Sequence, residues 1–260
     1  MAYLNLQGRA YQYRDVGAGR PLLLLHGFPL TGASFWPQLD APPQGIRLIV
    51  PDHRGFGQSA RGESLLTMDA LAADALSLLE ALKLPQVAVG GVSMGGYVAM
   101  ALLRLDPARV GRLILIDTQC GADDDAARAR REATALELEA RGVGPLVEAM
   151  IPKLLAPGAP EEVRRRVEAL MRSVDPKSAA RASRAMAIRA DSREILSRFA
   201  GPALVVVGSD DSITPPAKAK EMAALIGGSR WVQIEGAGHL SNLEKPEAFN
   251  AALSEFLALS

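Results

Sequence analysis

The chain has 260 residues, enough for one α/β domain with an insertion or for two small domains. Its hydrophobic content of 48% is ample for a buried core, and its 22% of charged residues is ordinary for a globular protein. The 29 basic residues balance the 29 acidic ones, so the formal net charge is zero. This balance gives no electrostatic indication of a nucleic-acid or membrane partner.

The cysteine content and the apolar runs bear on the cellular compartment. Cys120 is the single cysteine, so no intramolecular disulfide can form, which is typical of a reducing compartment. The leucine run at 22–25 is far too short to span a bilayer, and residues 1–16 lack the apolar core of a signal peptide. We therefore expect a cytoplasmic protein, and the sequence leaves its oligomeric state open.

Short apolar segments alternate with helical patterns along most of the chain. Segments 2–7 and 10–16 alternate polar and apolar residues and predict a β-hairpin. Six continuous apolar runs are typical of strands buried on both faces: 22–26, 47–50, 87–90, 113–116, 203–208 and 231–234. Helices are predicted at 67–83, after residue 95, at about 215–226 and at 246–258. This alternation predicts an α/β fold with a mostly parallel central sheet and helices on both faces.

Residues 122–199 interrupt the alternation, because they carry no strand pattern and are rich in Ala, Arg, Glu and Leu. Three segments that contain Gly or Pro, at 142–145, 157–160 and 175–176, divide this stretch. The division predicts about four helices. A helical insertion between two strands of such a sheet is expected to cover the active site. The predicted organisation is a core domain of residues 1–121 and 200–260 with a helical cap of residues 122–199.

The most informative motif is GVSMG at residues 91–95, between an apolar strand and a helix of small residues. A serine with glycines two positions before and two after, at a strand-to-helix turn, is a nucleophile elbow. Both flanking positions must be small, because side chains there would collide with neighbouring backbone. The N-terminus of the following helix favours negative charge at the same place. Ser93 is therefore the candidate nucleophile.

A serine hydroxyl is a poor nucleophile without a base, and the chain has three histidines. His239 lies in a glycine-rich loop after the last strand, where catalytic groups gather in parallel sheets, and is the candidate base. His26 is expected to hold its own loop. The base needs an orienting carboxylate, and Asp210 and Asp211 both follow the strand at 203–208. Asp211 is preferred, with Asp210 as the alternative.

An acyl-transfer site also needs donors for an oxyanion. The N–H groups of Met94, directly after the nucleophile, and of Phe28, in the loop after the first central strand, are the candidates. Apolar side chains are expected to bind the substrate: Phe28, Met150, Leu154 and Met186. No metal is implied, because the histidines are scattered, and no cofactor is implied, because residues 90–96 lack a dinucleotide fingerprint.

Four motifs occur in an informative order along the chain: HGFP at 26–29, DHRGFGQS at 52–59, GVSMGG at 91–96 and GAGH at 236–239. Together they resemble the α/β-hydrolase superfamily over about residues 2–258. The segments GVSMGGYVA, GSDDSITPP and GAGHLSNLEKP resemble its small carboxylesterase and 3-oxoadipate enol-lactonase branch. The segment HGFPLTGASFW at 26–36 is similar instead to cofactor-free haloperoxidases, or perhydrolases.

The resemblance implies an α/β-hydrolase fold and a serine hydrolase that cleaves a small, uncharged or weakly polar ester or lactone through an acyl-enzyme. Serine rather than aspartate at position 93 argues against haloalkane dehalogenases and epoxide hydrolases. Three alternatives stay open. They are cleavage of a carbon–carbon bond by the same triad, peroxyacid formation of the haloperoxidase type, and a non-catalytic ligand-binding protein of the same fold.

Overall fold

The structure is a computed structural model that describes residues 2–6, 8–62 and 64–258. Gln7, predicted as the end of the first strand, lies outside the described residues, as do positions 1, 63, 259 and 260 of the predicted core domain. The strands are β1 (Ala2–Leu6), β2 (Arg9–Gly17), β3 (Arg20–Leu25), β4 (Ile46–Pro51), β5 (Val87–Val92), β6 (Val110–Ile116), β7 (Ala203–Gly208) and β8 (Arg230–Ile234).

The eight strands form one sheet in the order β1-β2-β4-β3-β5-β6-β7-β8. The pairs β1–β2 and β2–β4 are antiparallel, and the other neighbours are parallel. The predicted α/β fold with a mostly parallel sheet is thus confirmed. Strand β5 extends past its predicted end, because Gly91 and Val92 continue the ladder with Leu115 and Ile116 of β6.

Helices flank this sheet on both faces. They are α1 (Trp36–Asp40), α2 (Met68–Ala81), α3 (Met94–Leu105), α4 (Asp125–Arg141), α5 (Gly144–Leu154), α6 (Glu161–Arg172), α7 (Pro176–Ala187), α8 (Arg193–Ser197), α9 (Pro216–Leu225), α10 (Ser241–Glu244) and α11 (Pro246–Ala258). The sequence missed α1 and α10, which have only five and four residues and are too short to show a periodic pattern. No helix in the described ranges is both long enough and apolar enough to cross a membrane.

The continuous apolar runs follow from a sheet that is covered on both faces. In β3, Leu23 and Leu25 belong to one hydrophobic cluster, while Leu22 and Leu24 belong to a second cluster on the opposite face. Side chains alternate between the two faces of a strand, so both sets must be apolar. The same double burial explains β5 and β7, in which every residue is buried.

Residues 122–199 are described throughout and contain five helices, α4 to α8, with no strand. The sequence predicted about four helices; the additional one is the short α8, which begins after Ser192. Helices α4 and α7 are capped by the preceding residues Asp124 and Asp175, whose side chains accept hydrogen bonds from backbone N–H groups of the first turn. The two helices pack together, and the Ser183 hydroxyl on α7 donates to the Arg131 carbonyl on α4 at 2.8 Å.

The turn between β5 and α3 holds Ser93 in a strained conformation, with φ of 53° and ψ of −114°. Its backbone N–H donates to the Ile116 carbonyl at 2.9 Å, which ties the turn to β6. A Cβ atom at Gly91 would collide with the backbone of Gly95, and one at Gly95 would collide with the Leu25 carbonyl. Both flanking positions therefore require glycine, as the motif predicts.

The close approach of Gly95 to β3 predicts the effect of adding one methyl group. We expect Gly95→Ala to lower the free energy of unfolding by about 1–3 kcal/mol, because the backbone of β3 has to move. The matched control is Gly144→Ala, in the first turn of α5, where no atom lies within 4 Å of an added Cβ. Urea unfolding of both variants measures the difference, and equal stabilities would contradict the steric role of Gly95.

Candidate active site

Three side chains from separate loops meet at the carboxyl edge of the sheet. Ser93 follows β5, Asp211 follows β7 and His239 follows β8. The Ser93 Oγ lies 2.8 Å from Nε2 of His239, and Nδ1 of His239 lies 2.8 Å from Oδ2 of Asp211. Parallel strands end at the same edge of their sheet, so residues far apart in sequence become neighbours there. The structure thus brings together the three residues selected from the sequence.

The two candidate aspartates occupy different environments. Asp211 is buried, and its Oδ1 accepts hydrogen bonds of 2.8 Å from the backbone N–H groups of Ile213 and Thr214. Its Oδ2 accepts the Thr214 hydroxyl at 2.7 Å as well as the imidazole of His239. Asp210 is exposed, and its Oδ1 accepts the hydroxyl of Ser209 at 3.2 Å. The geometry therefore favours Asp211 over Asp210 as the partner of the histidine.

The imidazole of His239 is buried between a carboxylate and a hydroxyl. Burial alone would lower its pKa, but the charge and hydrogen bond of Asp211, followed by the charges of Asp117 and Glu244, raise the pKa above the ordinary value of 6.5. Despite its burial, Asp211 has a lowered pKa, because it faces this histidine. A carboxylate at Nδ1 selects the tautomer protonated there, which leaves the lone pair of Nε2 directed at the Ser93 hydroxyl.

A second buried carboxylate, Asp117, ties the loops together. It follows β6 with a φ of 45°, and its Oδ1 accepts the Gly208 N–H at 2.9 Å. Its Oδ2 accepts the Ser241 N–H at 3.0 Å and the Ser241 hydroxyl at 2.7 Å. Burial and the nearby charge of Asp211 raise the pKa of Asp117 to about 6. Sequence reasoning missed this residue, although it directly follows an apolar strand.

A third carboxylate, Glu244, joins the histidine loop to the helical segment. Its Oε1 accepts the Gly238 N–H at 2.9 Å, and its Oε2 accepts the Ala156 N–H at 2.8 Å. Next to these contacts, the His239 N–H donates to the Leu154 carbonyl at 2.9 Å. Burial raises the pKa of Glu244 to about 7. No sequence pattern identifies this residue, because its partners are backbone groups.

The loop after β3 passes beside the serine. A Cβ atom at Gly27 would lie 3.4 Å from the Cβ of Ser93. Within the part of the chain that the structure describes, neither the Phe28 N–H nor the Met94 N–H has a hydrogen-bond acceptor. Met94 is the first residue of α3, where N–H groups have no partner within the helix. Both groups are therefore available to a ligand.

His26 anchors this loop, as the sequence predicts. Its Nε2 accepts the His53 N–H at 3.0 Å, and its Nδ1 lies 3.0 Å from the Gly27 carbonyl. Burial lowers the pKa of His26 to about 4, so the ring is neutral near pH 7 and its Nδ1–H donates to that carbonyl. Within the described ranges no hydrogen bond joins the His26 ring to Ser93, and its hydrogen bonds position the loop.

A cavity of about 360 Å³ opens beside Ser93. Phe28 and Met186 line it, but Met150 and Leu154 do not. Leu154 is fully buried in the hydrophobic cluster that also contains Leu22 and Leu24.

The reason that Met150 and Leu154 are absent from the cavity wall lies in α5. This helix turns its apolar side towards the protein interior, with Val147, Ile151 and Leu154 buried, while Met150 packs half-buried against the core. Lys153, a charged residue of the same helix, lines the cavity instead of Met150 and Leu154. The expected apolar wall is thus partly charged, since Asp123, Arg130 and Arg131 line the cavity as well.

The chain was compared with protein families and with known proteins. A family model described as alpha/beta hydrolase fold matches residues 20–195, and one described as TAP-like protein matches residues 179–259. A 3-oxoadipate enol-lactonase of Acinetobacter baylyi is 31% identical over 255 residues, which cover 96% of this chain and 94% of the relative.

Solved structures superpose over nearly the whole chain. A thermophilic esterase from Thermogutta terrifontis, with malate bound, has a TM-score of 0.92 and 35% identity over 98% of this chain and 97% of its own. A bromoperoxidase from Bacillus anthracis has a TM-score of 0.83 and 25% identity over 96% and 95% of the two chains. Because a family model matches more than half of the chain and these relatives match nearly all of it, the chain belongs to the α/β-hydrolase superfamily.

Proposed function

We propose that this α/β-hydrolase is a serine hydrolase that cleaves small carboxylic esters or lactones through an acyl-enzyme. The observation that carries the proposal is the hydrogen-bonded chain from Ser93 through His239 to Asp211, with 2.8 Å at each contact. This is the arrangement that activates a serine hydroxyl for attack on a carbonyl. The similarity to an esterase and to an enol-lactonase supports the same reaction class.

In the proposed reaction, the Ser93 Oγ attacks the substrate carbonyl carbon while its proton passes to Nε2 of His239. Asp211 stabilises the imidazolium that forms, in agreement with the raised pKa of His239. When the tetrahedral intermediate collapses, the carbon–oxygen bond of the leaving group breaks and the imidazolium gives its proton to the departing oxygen. A water molecule, deprotonated by His239, then attacks the acyl carbon and releases the carboxylic acid and Ser93.

The charge that develops on the carbonyl oxygen needs fixed donors. We propose the N–H groups of Phe28 and Met94 for this role, because Met94 directly follows Ser93, Phe28 lines the same cavity as Ser93, and neither N–H has an acceptor among the described residues. The N-terminus of α3 adds a favourable partial charge at the same position.

We further propose that residues 122–199 are a cap over a core formed by residues 1–121 and 200–260. The cavity beside Ser93 supports this division, since Arg130, Lys153 and Met186 come from three helices of that segment. A cap restricts water at the site, which strengthens electrostatic stabilisation. The single cysteine, which is free and buried, supports a reducing compartment such as the cytoplasm.

A second candidate function is peroxyacid formation, in which hydrogen peroxide replaces water in the attack on the acyl-enzyme. The similarity to the bromoperoxidase from Bacillus anthracis favours it. The same serine and histidine would carry both reactions, so the acyl-enzyme is common to them. Carbon–carbon bond cleavage stays a hypothesis from the sequence. A non-catalytic binding protein is disfavoured by the complete Ser93–His239–Asp211 geometry.

Removal of the nucleophile tests the proposed function directly. Ser93→Ala and His239→Ala should each lower the kcat for 4-nitrophenyl butyrate by on the order of 10⁴-fold, because members of a triad act as a unit. Ser197→Ala, at an exposed serine of α8, is the control and should keep full activity. Intact-mass analysis after treatment with a fluorophosphonate should show one adduct on the wild type and none on Ser93→Ala. An undiminished rate in Ser93→Ala would refute the mechanism.

In NMR spectra, His239 should titrate at a higher pH than His26 and His53. His26 has a pKa lowered to about 4, burial lowers that of His53 well below 6.5, and that of His239 lies above 6.5. Since the base must be neutral, kcat/KM should rise with pH through the pKa of His239. Asp211→Asn should lower that pKa and abolish turnover, whereas Asp210→Asn should change neither. The opposite pattern would make Asp210 the acid.

The small cavity predicts a preference for short acyl chains. The kcat/KM for 4-nitrophenyl butyrate should exceed that for the laurate ester, because a cavity of about 360 Å³ cannot enclose a long chain. Met186→Ala shortens a side chain of the cavity wall, so the cavity becomes larger and the preference should shift towards longer acyl chains. Met150→Ala removes the same side chain from a position outside the wall and should leave the preference unchanged. A wild-type optimum at long chains would contradict the small-substrate proposal.

A further inference from the structure

Three hydrogen bonds join the loop that carries His239 to the end of α5. The Glu244 carboxylate makes two of them, since its Oε1 accepts the Gly238 N–H at 2.9 Å and its Oε2 accepts the Ala156 N–H at 2.8 Å. In the third, the His239 N–H donates to the Leu154 carbonyl at 2.9 Å. We propose that Glu244 is a positioning residue that holds the base of the reaction at a fixed place relative to α5. The inference rests on the proposed function, because it concerns the base of that reaction.

The end of α5 and the histidine loop are in direct backbone contact. Helix α5 ends at Leu154, and the last carbonyls of a helix have no partner within it, so the His239 N–H supplies one from outside. A Cβ atom at Gly238 would lie 2.7 Å from the Ala156 nitrogen and 3.0 Å from the Leu154 carbonyl oxygen. A shift of this helix end therefore has to move the residues next to the base. Since Lys153 lines the cavity, the base and this part of the cavity wall are held together.

The two N–H groups that Glu244 bonds are far apart in the sequence, and a carboxylate suits both of them. Gly238 directly precedes His239 and lies 6 residues before Glu244, whereas Ala156 lies 88 residues before it. An ionised carboxylate has two acceptor oxygens and no donor, so it can accept both N–H groups at once. An amide of the same length has one acceptor oxygen, and its NH₂ group would face the second N–H. Both the length and the ionised state of this side chain therefore matter for the link.

Stability does not account for the charge of Glu244. The residue is 4% exposed, and no arginine or lysine pairs with it in the part of the chain that the structure describes. Burial, followed by the charge of Asp117, raises its pKa from 4.5 to about 7 despite the two N–H donors. The folded protein thus binds this proton more tightly than the unfolded chain, so ionisation lowers the free energy of unfolding as the pH rises from 4.5 to 7. Its charge, like those of Asp211 and Asp117, raises the pKa of His239 instead.

Amide proton shifts of the wild-type protein test the link without an activity assay. The Ala156 and Gly238 amide protons should both shift with the midpoint at which the ¹³Cδ signal of Glu244 titrates, near pH 7, because both donate to this carboxylate. In Glu244→Gln, neither amide should show a transition at that midpoint. Glu247→Gln, at an exposed glutamate of α11, is the control and should keep both transitions. If either amide of the wild type failed to follow Glu244, the link would be refuted.

Two variants separate the length of the side chain from its charge. Glu244→Gln keeps the length and loses the charge, whereas Glu244→Asp keeps the charge and is one methylene shorter. Each should lower kcat for 4-nitrophenyl butyrate by about tenfold and change KM by less than about threefold, because a displaced base slows the chemical step. Only Glu244→Gln should also move the rise of kcat/KM to lower pH, since the charge of Glu244 raises the pKa of His239. Glu247→Gln should match the wild type in each of these measurements.

The two experiments distinguish failure of this inference from failure of the proposed function. If no ester is cleaved and no fluorophosphonate adduct forms, the proposed function fails, yet the amide titration still tests whether Glu244 joins the two segments. If the wild type cleaves esters and Glu244→Asp keeps the wild-type kcat, the charge alone suffices. That result would overturn the positioning role while sparing the serine hydrolase. The titration uses the wild-type protein, so it gives an answer even if a Glu244 variant does not fold.

Discussion

The hydrogen bond between His239 and Asp211 is the interaction on which the site depends, and it joins two loops that leave different strands. At 2.8 Å, it requires the ends of β7 and β8 to keep a fixed separation. Asp117 supplies that constraint, because one of its oxygens accepts the Gly208 N–H at the end of β7 and the other accepts Ser241 after the histidine loop. Through these hydrogen bonds, the buried carboxylate of Asp117 holds the loop after β7 next to the loop after β8.

The same group of carboxylates also sets the electrostatics of the ring. Asp117, Asp211 and Glu244 surround His239, and all three raise its pKa. Burial raises the pKa of Glu244 to about 7 and, with the nearby charge of Asp211, that of Asp117 to about 6, while Asp211, in direct contact with the ring, has a lowered pKa. The negative field is thus concentrated where a positive imidazolium would form in the proposed reaction of Ser93.

The parts of this structure that follow local rules could be predicted from the sequence. Six strands were located as continuous apolar runs and the first two as an alternating hairpin, and Ser93 was found because the tight turn demands glycine on either side. Asp117 and Glu244 escaped prediction because their partners are backbone N–H groups at distant positions, 91 residues away for Gly208 and 88 for Ala156. Such partners leave no residue pattern in a single sequence.

The side of a helix that packs against the core is a second feature that could not be predicted from the sequence. Helix α5 contains both Met150 and Lys153, and only its packing on the core decides that the charged residue lines the cavity. That packing is coupled to the base, because Leu154, the neighbour of Lys153, accepts the His239 N–H while Glu244 joins Gly238 to Ala156. The hydrogen bonds that hold the histidine loop therefore also position the segment that carries Lys153 relative to the imidazole of His239.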